Sequence, residues 1–140
     1  MITIEQIAQG KTLAEAQGMT AEIGAAIAHL AAEAIAEDRL RAARDILEGL
    51  AVTNPRDAVA WALLSTVYRR LGHIEAARLC AEAAARLAPG DPQARLARAE
   101  TQLLAPAERE AGRTELRALS AEEGGVGERA RTLLAAMGPA

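Results

Sequence analysis

The chain has 140 residues, 51% of them apolar and 25% charged, with a formal net charge of −3. That length suits one domain whose core needs neither metal nor disulfide. Acids and arginines are interspersed, so no basic stripe is set up to follow a phosphate backbone, and no window approaches the ~20 apolar residues that cross a bilayer. Nucleic acid and direct membrane insertion are therefore not expected.

Aromatic residues are limited to Trp61 and Tyr68, there is no Phe, and Ala dominates every segment. Alanine favours helix at each position but buries little area, so such a fold must rest on many small contacts. The single Cys80 has no partner for an internal disulfide, and the early acid Glu5 is unlike a secretory leader. Both features point to a cytoplasmic protein.

In chain order, Thr3 and Gln6 can form a capping box for a short first helix with Ile4, Ile7 and Ala8 as its apolar stripe, ended by Gly10. Leu13, Ala16 and Met19 lead to Thr20, which can cap the next helix. Ile23, Ile27, Leu30 and Ala34 then recur at helical spacing to about Glu37. Asp38 stands in a turn position that usually takes Gly, and Leu40, Ala43, Ile46, Leu47 and Leu50 mark a second helix that Asn54-Pro55 terminates. Asp57 caps a third helix running to Leu71, and Gly72 supplies its left-handed stop. Ile74 to Leu87 forms the partner helix, closed by Pro89-Gly90. Asp91-Pro92 is an N-cap with proline in the first turn. Leu96, Ala99, Leu103 and Leu104 lie on the following helix, which breaks at Ala105-Pro106, and the helix after that should fade near Ser120. Glu122 to Gly127 reads as a flexible turn, after which Ala130, Leu133, Leu134 and Met137 describe a last amphipathic helix.

A longer period lies over these elements. Trp61, Leu64, Ser65 and Tyr68, followed by Ala77, Ala81, Ala84 and Pro89, resemble the tetratricopeptide pattern, whose repeat is about 34 residues. Moving back by that period brings Leu64 onto Leu30, Ser65 onto Ala31, Ala77 onto Ala43, Pro89 onto Pro55 and Asp91 onto Asp57. The small residues Ala31, Ser65, Ala43 and Ala77 fall where paired helices cross and must approach closely. A third, weaker copy begins at Pro92, with Ala99, Ala111 and Ala118 in register. The expected fold is all-α: a right-handed three-repeat tetratricopeptide superhelix with an N-terminal helix and a C-terminal capping helix. Its divisions are an arm over 1–19, repeats within 20–123 (24–57, 58–91 and 92–123), and a turn with capping helix over 124–140.

Side chains suited to chemistry are not gathered. His29 and His73 lie far apart without Cys or carboxylate neighbours at metal-ligand spacing, and Cys80 sits in an apolar helix. Glu108, Glu110, Glu122 and Glu123 fall in polar stretches. Gly124-Gly125-Val126-Gly127 lacks the preceding strand and the lysine of a phosphate loop. No catalytic set, cofactor or metal is expected, and the protein is not read as an enzyme.

The tetratricopeptide resemblance implies a concave groove lined by places 2, 5, 9, 12 and 13 of each repeat. Carried over by position, these are Ala25, Ala28, Ala32, Ile35 and Ala36 in the first repeat. The second supplies Val59, Ala62, Thr66, Arg69 and Arg70, and the third Gln93, Leu96, Glu100, Leu103 and Leu104. Small side chains at one end leave room for apolar anchors of an extended polypeptide, beside an arginine-bearing strip in the middle. The same alanines also follow from composition alone. Glutamate at Ala28 or Ala62 is expected to block binding while sparing helical content. Groups able to clamp a pair of carboxylates are absent from Ala28, Ala32, Leu63, Gln93 and Ala97, so capture of an acidic chaperone tail is not expected.

Three repeats flanked by an extra helix on each side, with Gln9-Gly10-Lys11-Thr12-Leu13, Leu30-Ala31, Ala42-Ala43, Leu71-Gly72-His73, Asp91-Pro92 and Leu103-Leu104, resemble the all-helical translocator chaperones of bacterial type III secretion. The likeness covers about residues 9 to 119, and it departs from the family where Tyr and Phe usual in the first-repeat groove are here Ala28, Ala32 and Ile35. The resemblance implies a cytoplasmic chaperone that keeps an aggregation-prone translocator soluble by holding an extended segment of it. It also implies self-association through N-terminal helices, for which Ile4, Ile7 and Leu13 are candidates; packing on the first repeat is the alternative for the same residues. The other functional reading is a tetratricopeptide scaffold that assembles folded subunits of an envelope or regulatory complex.

Overall fold

The computed structural model describes residues 21–139. Among these run seven α-helices, one 3-10 turn and no strand: α1 (Ala21–Ala36), α2 (Leu40–Thr53), α3 (Ala58–Arg70), α4 (Ile74–Leu87), α5 (Pro92–Gln102), the 3-10 turn Pro106–Glu108, α6 (Arg109–Leu119) and α7 (Gly125–Met137). The arm over 1–19, with its anticipated helix, lies outside the described residues.

Local chemistry sets the helix ends. Asp57 accepts a hydrogen bond from the Ala60 amide at 3.1 Å and Asp91 one from the Ala94 amide at 3.0 Å, satisfying donors that the first turns of α3 and α5 leave open. These two caps stand at the same place of successive repeats. The same correspondence holds at the hairpin turns, where Gly72 has φ 87° and Asp38, at the equivalent place, has φ 60°. An aspartate there carries a cost of roughly 1 kcal/mol that glycine avoids. Arg70 Nη2 donates to Asp38 Oδ1 at 2.7 Å and so ties the strained turn to the next repeat. The third hairpin breaks the pattern, because Pro106 opens the 3-10 turn instead of a left-handed stop.

Helices α1 to α4 enclose one core, in which Ala31, Ala43, Leu47, Ala60, Leu64 and Val67 are buried and Trp61 and Tyr68 pack at its edge. Ala62, Ala81, Ala84, Ala94 and Ala97 continue it toward α5 as an all-alanine seam. A further cluster joins α5, α6 and α7 through Leu96, Ala99, Leu116, Leu119, Val126 and Ala130. Gly112 belongs to this region, and a Cβ there would stand 3.0 Å from the Ala99 carbonyl oxygen. Its absence is what lets α6 approach α5.

Two local readings of the sequence are corrected. Ile23 and Leu30, expected on the buried stripe of α1, are 49% and 56% exposed, and the helix buries Gly24, Ala28, Ala31 and Ala34 instead. Close helix approach selects the small side of α1, so Ile23 and Leu30 turn outward while Ile27 and Ile35 pack at the core's edge. The stretch 122–127 is not all turn either: α7 starts at Gly125, and Val126 and Gly127 are buried within its first turn.

Candidate functional site

The first helices of the hairpins, α1, α3 and α5, lie side by side, and α7 packs on α5 and α6. A trough of about 830 Å³ runs across the first helices. Its floor is built from small or buried apolar groups, Ala28, Ala62, Leu96 and Ala97, while Val59, 54% exposed, stands at its rim. An alanine floor leaves room: each side chain that stops at Cβ is volume left to an outside side chain.

The structure brings together Ala25, Ala28, Ala32, Val59, Ala62, Thr66, Gln93, Leu96 and Glu100 as lining of this trough. These are places 2, 5 and 9 of the three repeats. Place 12 departs. Ile35 packs against the core of α1 to α4, and Leu103 against the cluster of α5 to α7. Place 12 lies only about 20° round the helix from place 5, but two turns further on, at the C-terminal end of its helix, beyond the stretch that faces the trough. Ala36 and Leu104 are exposed without lining the trough. Arg69 and Arg70 line instead a smaller hollow of about 340 Å³, together with Thr66, Glu100 and Arg129. Thr66 and Glu100 border both spaces, so the hollow continues the trough. Ile4, Ile7 and Leu13 lie outside the described residues.

Place 6 of each repeat, His29, Leu63 and Ala97, also borders the trough; Leu63 and Ala97 figure among the groove places weighed for a carboxylate clamp, and His29 does not. The 34-residue spacing of His29, Leu63 and Ala97 is the sequence signal that marks this place. Asp57 and Asp91 also border it, with their carboxylates engaged as helix caps. Arg129 comes from α7, outside the repeats, and no repeat-based register could have found it.

Charge is concentrated at the hollow. Glu100 is only 8% exposed, and its Oε1 accepts from Arg129 Nε at 3.1 Å and Nη2 at 2.8 Å while lying 3.4 Å from Arg69 Nη2. Such a carboxylate is tolerable in a buried place because two guanidinium groups share it. Arg70 is engaged with Asp38 and with the Ile35 carbonyl oxygen.

Ala62 is both floor and core, since it packs in the alanine seam. Glutamate there would disturb folding as well as the trough, contrary to the expectation of unchanged helical content. The exposed rim residues Ala25 and Val59 separate the two effects.

The histidines and the thiol stand apart. His29 is at the rim, 3.1 Å from Glu33, and His73 precedes α4 with its ring edge-on to Tyr68 at 6.2 Å. Cys80 is buried, which pushes its pKa up to about 11, with the Glu48 carboxylate adding to the effect. Among the described residues, no three His, Cys, Asp or Glu side chains gather as a metal site. No helix among them is long and apolar enough to cross a membrane.

This arrangement of stacked helical hairpins with first helices lining a trough is the tetratricopeptide-repeat fold, and residues 58–101 match the family model described as tetratricopeptide repeat. The whole fold resembles that of type III secretion translocator chaperones. The Yersinia enterocolitica translocator chaperone SycD superposes with a TM-score of 0.71 at 19% identity, covering 90% of this chain and 98% of that one. An alternative dimer of SycD gives 0.66 at 19% identity, over 85% of this chain and 94% of that one. A type III secretion complex from Aeromonas hydrophila gives 0.72 at 19% identity, with 94% and 91% covered. No curated protein matches this chain in sequence.

Proposed function

We propose that this chain is a cytoplasmic chaperone that holds an extended, partly apolar segment of a type III secretion translocator in the trough across α1, α3 and α5. The observation that carries this reading is the trough itself: about 830 Å³, floored by Ala28, Ala62, Leu96 and Ala97 and open along its length. An extended chain presents alternate side chains to such a surface, and small floor residues admit Leu- or Val-sized anchors whose burial contributes roughly 1.5–3 kcal/mol each. A translocator whose apolar segments are kept covered stays soluble until export. The solved proteins of the same fold include a type III secretion translocator chaperone, SycD, which supports the assignment of partner. Self-association through Ile4, Ile7 and Leu13 is part of the same proposal.

Co-expression with a translocator subunit of the same bacterium tests it. The wild-type chain should bring the translocator into the soluble fraction as a complex, and Val59→Glu should lose the complex while retaining wild-type helical content. A translocator that remains insoluble with the wild-type chain, or is held equally well by Val59→Glu, overturns the reading. Recovery of folded soluble subunits alone would assign the chain to the scaffold class instead.

A further inference from the structure

We propose that the segment held in the trough carries a carboxylate, from Asp, Glu or a chain terminus, beside its apolar anchors, and that this carboxylate seats in the hollow formed by Arg69, Arg70 and Arg129. The inference rests on the trough being a polypeptide site and adds the chemistry of one end of the occupant.

Among the described residues, three guanidinium groups face this hollow and Glu100 is the one carboxylate in its lining. Glu100 is divided between Arg69 and Arg129, and Arg70 takes its counter-charge from Asp38, which is 76% exposed and outside the hollow. The lining thus holds a surplus of positive charge where it meets the apolar floor. A purely apolar segment running past Thr66 would cover Arg129, 45% exposed in the free protein, and strip water from a charge it does not match. A carboxylate at that point accepts from the guanidinium groups, and the same step that covers them also pairs them. Discrimination follows from both sides: acidic segments gain a charge-assisted contact and neutral ones meet a desolvation cost. The protein's own C-terminal stretch is held elsewhere, because Arg113 Nη1 donates to the Gly138 carbonyl oxygen at 3.0 Å.

The other end of the trough has no such surplus. Among the described residues, Asp57 and Asp91 lie there beside one guanidinium, that of Arg56, so carboxylates outnumber cations, and both carboxylates are engaged by the Ala60 and Ala94 amides at the helix N-termini. The surplus of positive charge therefore sits at the hollow and not at the N-caps.

The test uses fluorescein-labelled peptides with blocked ends, in which Leu and Ser alternate and a Glu pair closes either the N-terminal or the C-terminal end, each compared with the same peptide carrying Gln. The full chain should bind at least one Glu peptide about tenfold tighter than its Gln counterpart, and salt should erode the difference. Arg129→Gln should bring that ratio toward unity, and Glu100→Gln, which removes the competing carboxylate, should raise it, with circular dichroism establishing that both variants are folded. Gln peptides that bind while neither Glu peptide gains, or a ratio indifferent to Arg129→Gln, overturn this inference and leave the trough standing. Failure of all four peptides to bind, or binding that survives Val59→Glu, removes the trough reading and this one with it.

Discussion

The Ser65 hydroxyl donates to the Ala77 carbonyl oxygen at 2.8 Å, joining α3 to α4 inside the second hairpin. Ser65 is 1% exposed, so no water can replace that acceptor. Ser65→Ala keeps the close crossing but loses the hydrogen bond, and should cost about 1 kcal/mol, seen as a fall in Tm of roughly 3–5 °C. Ser65→Leu would force the helices apart and cost more. Urea or thermal unfolding of the two variants checks the order, and an equal loss in both would mean that steric fit at this crossing is not what restricts the position.

That crossing also shows what could be read without coordinates. Small residues at Ala31, Ser65, Ala43 and Ala77, caps at Asp57 and Asp91, and a left-handed stop at Gly72 are each fixed by one residue's own chemistry, so the hairpins were legible. Positive φ at Asp38 was legible too, because its repeat equivalent is Gly72. The facing of α1 was not: its face is chosen by which side of the helix allows close approach, so hydrophobic spacing alone assigned Ile23 and Leu30 inward. At the site, places 2, 5 and 9 follow the repeat register, whereas Ile35 and Leu103, at the C-terminal ends of their helices, pack into neighbouring cores. Arg129 enters the hollow only because α7 returns to α5, a long-range packing event no local pattern encodes.

Tyr68 and Cys80 should make the protein alkali-sensitive. Tyr68 lies against the core, donates to the Glu48 carboxylate and has its pKa pushed up to about 12, first by burial and then by that hydrogen bond. Cys80 is raised to about 11 for the same leading reason. Both native groups hold their protons more tightly than the unfolded chain does, so their contribution is complete below about pH 9 and is lost as pH rises through the native values. Stability to urea should therefore fall between pH 9 and pH 12, with a shallower slope in Cys80→Ala from about pH 9 to 11 and in Tyr68→Phe from about pH 10 to 12. A flat profile in the wild-type chain would contradict the burial of both groups.

Gly127 bears on how the last helix docks. A Cβ added there would stand 1.8 Å from the Glu122 carbonyl oxygen, which is backbone and cannot swing aside. Gly127→Ala should cost about 3 kcal/mol and loosen α7, because the turn from α6 must open before Val126 and Ala130 can reach Leu116 and Leu119. Amide hydrogen exchange should show lost protection through Gly125–Met137 while α1 to α4 remain protected. Unchanged exchange in α7 would show that the turn has another low-energy path.

The seam between the second and third repeats sets the cooperativity of the whole stack. It consists of Ala62, Ala81, Ala84, Ala94 and Ala97 with Trp61 at its edge, whereas the cores on either side contain the leucines. Alanine buries little area, so the coupling between neighbours is weak there relative to the stability of each side. Leu116→Ala, at a fully buried position in the C-terminal cluster, should cost roughly 3 kcal/mol and act mainly on α5 to α7. Trp61 packs on the N-terminal core as well as at the edge of the seam and donates its indole N–H to the Pro55 carbonyl oxygen at 2.8 Å, so its fluorescence follows the unfolding of that core. In this variant the loss of helical ellipticity should begin at lower urea than the change in Trp61 emission. Coincident curves would require the alanine seam to transmit nearly the full stability of each half, and would place the strongest inter-repeat coupling where the least apolar area is buried.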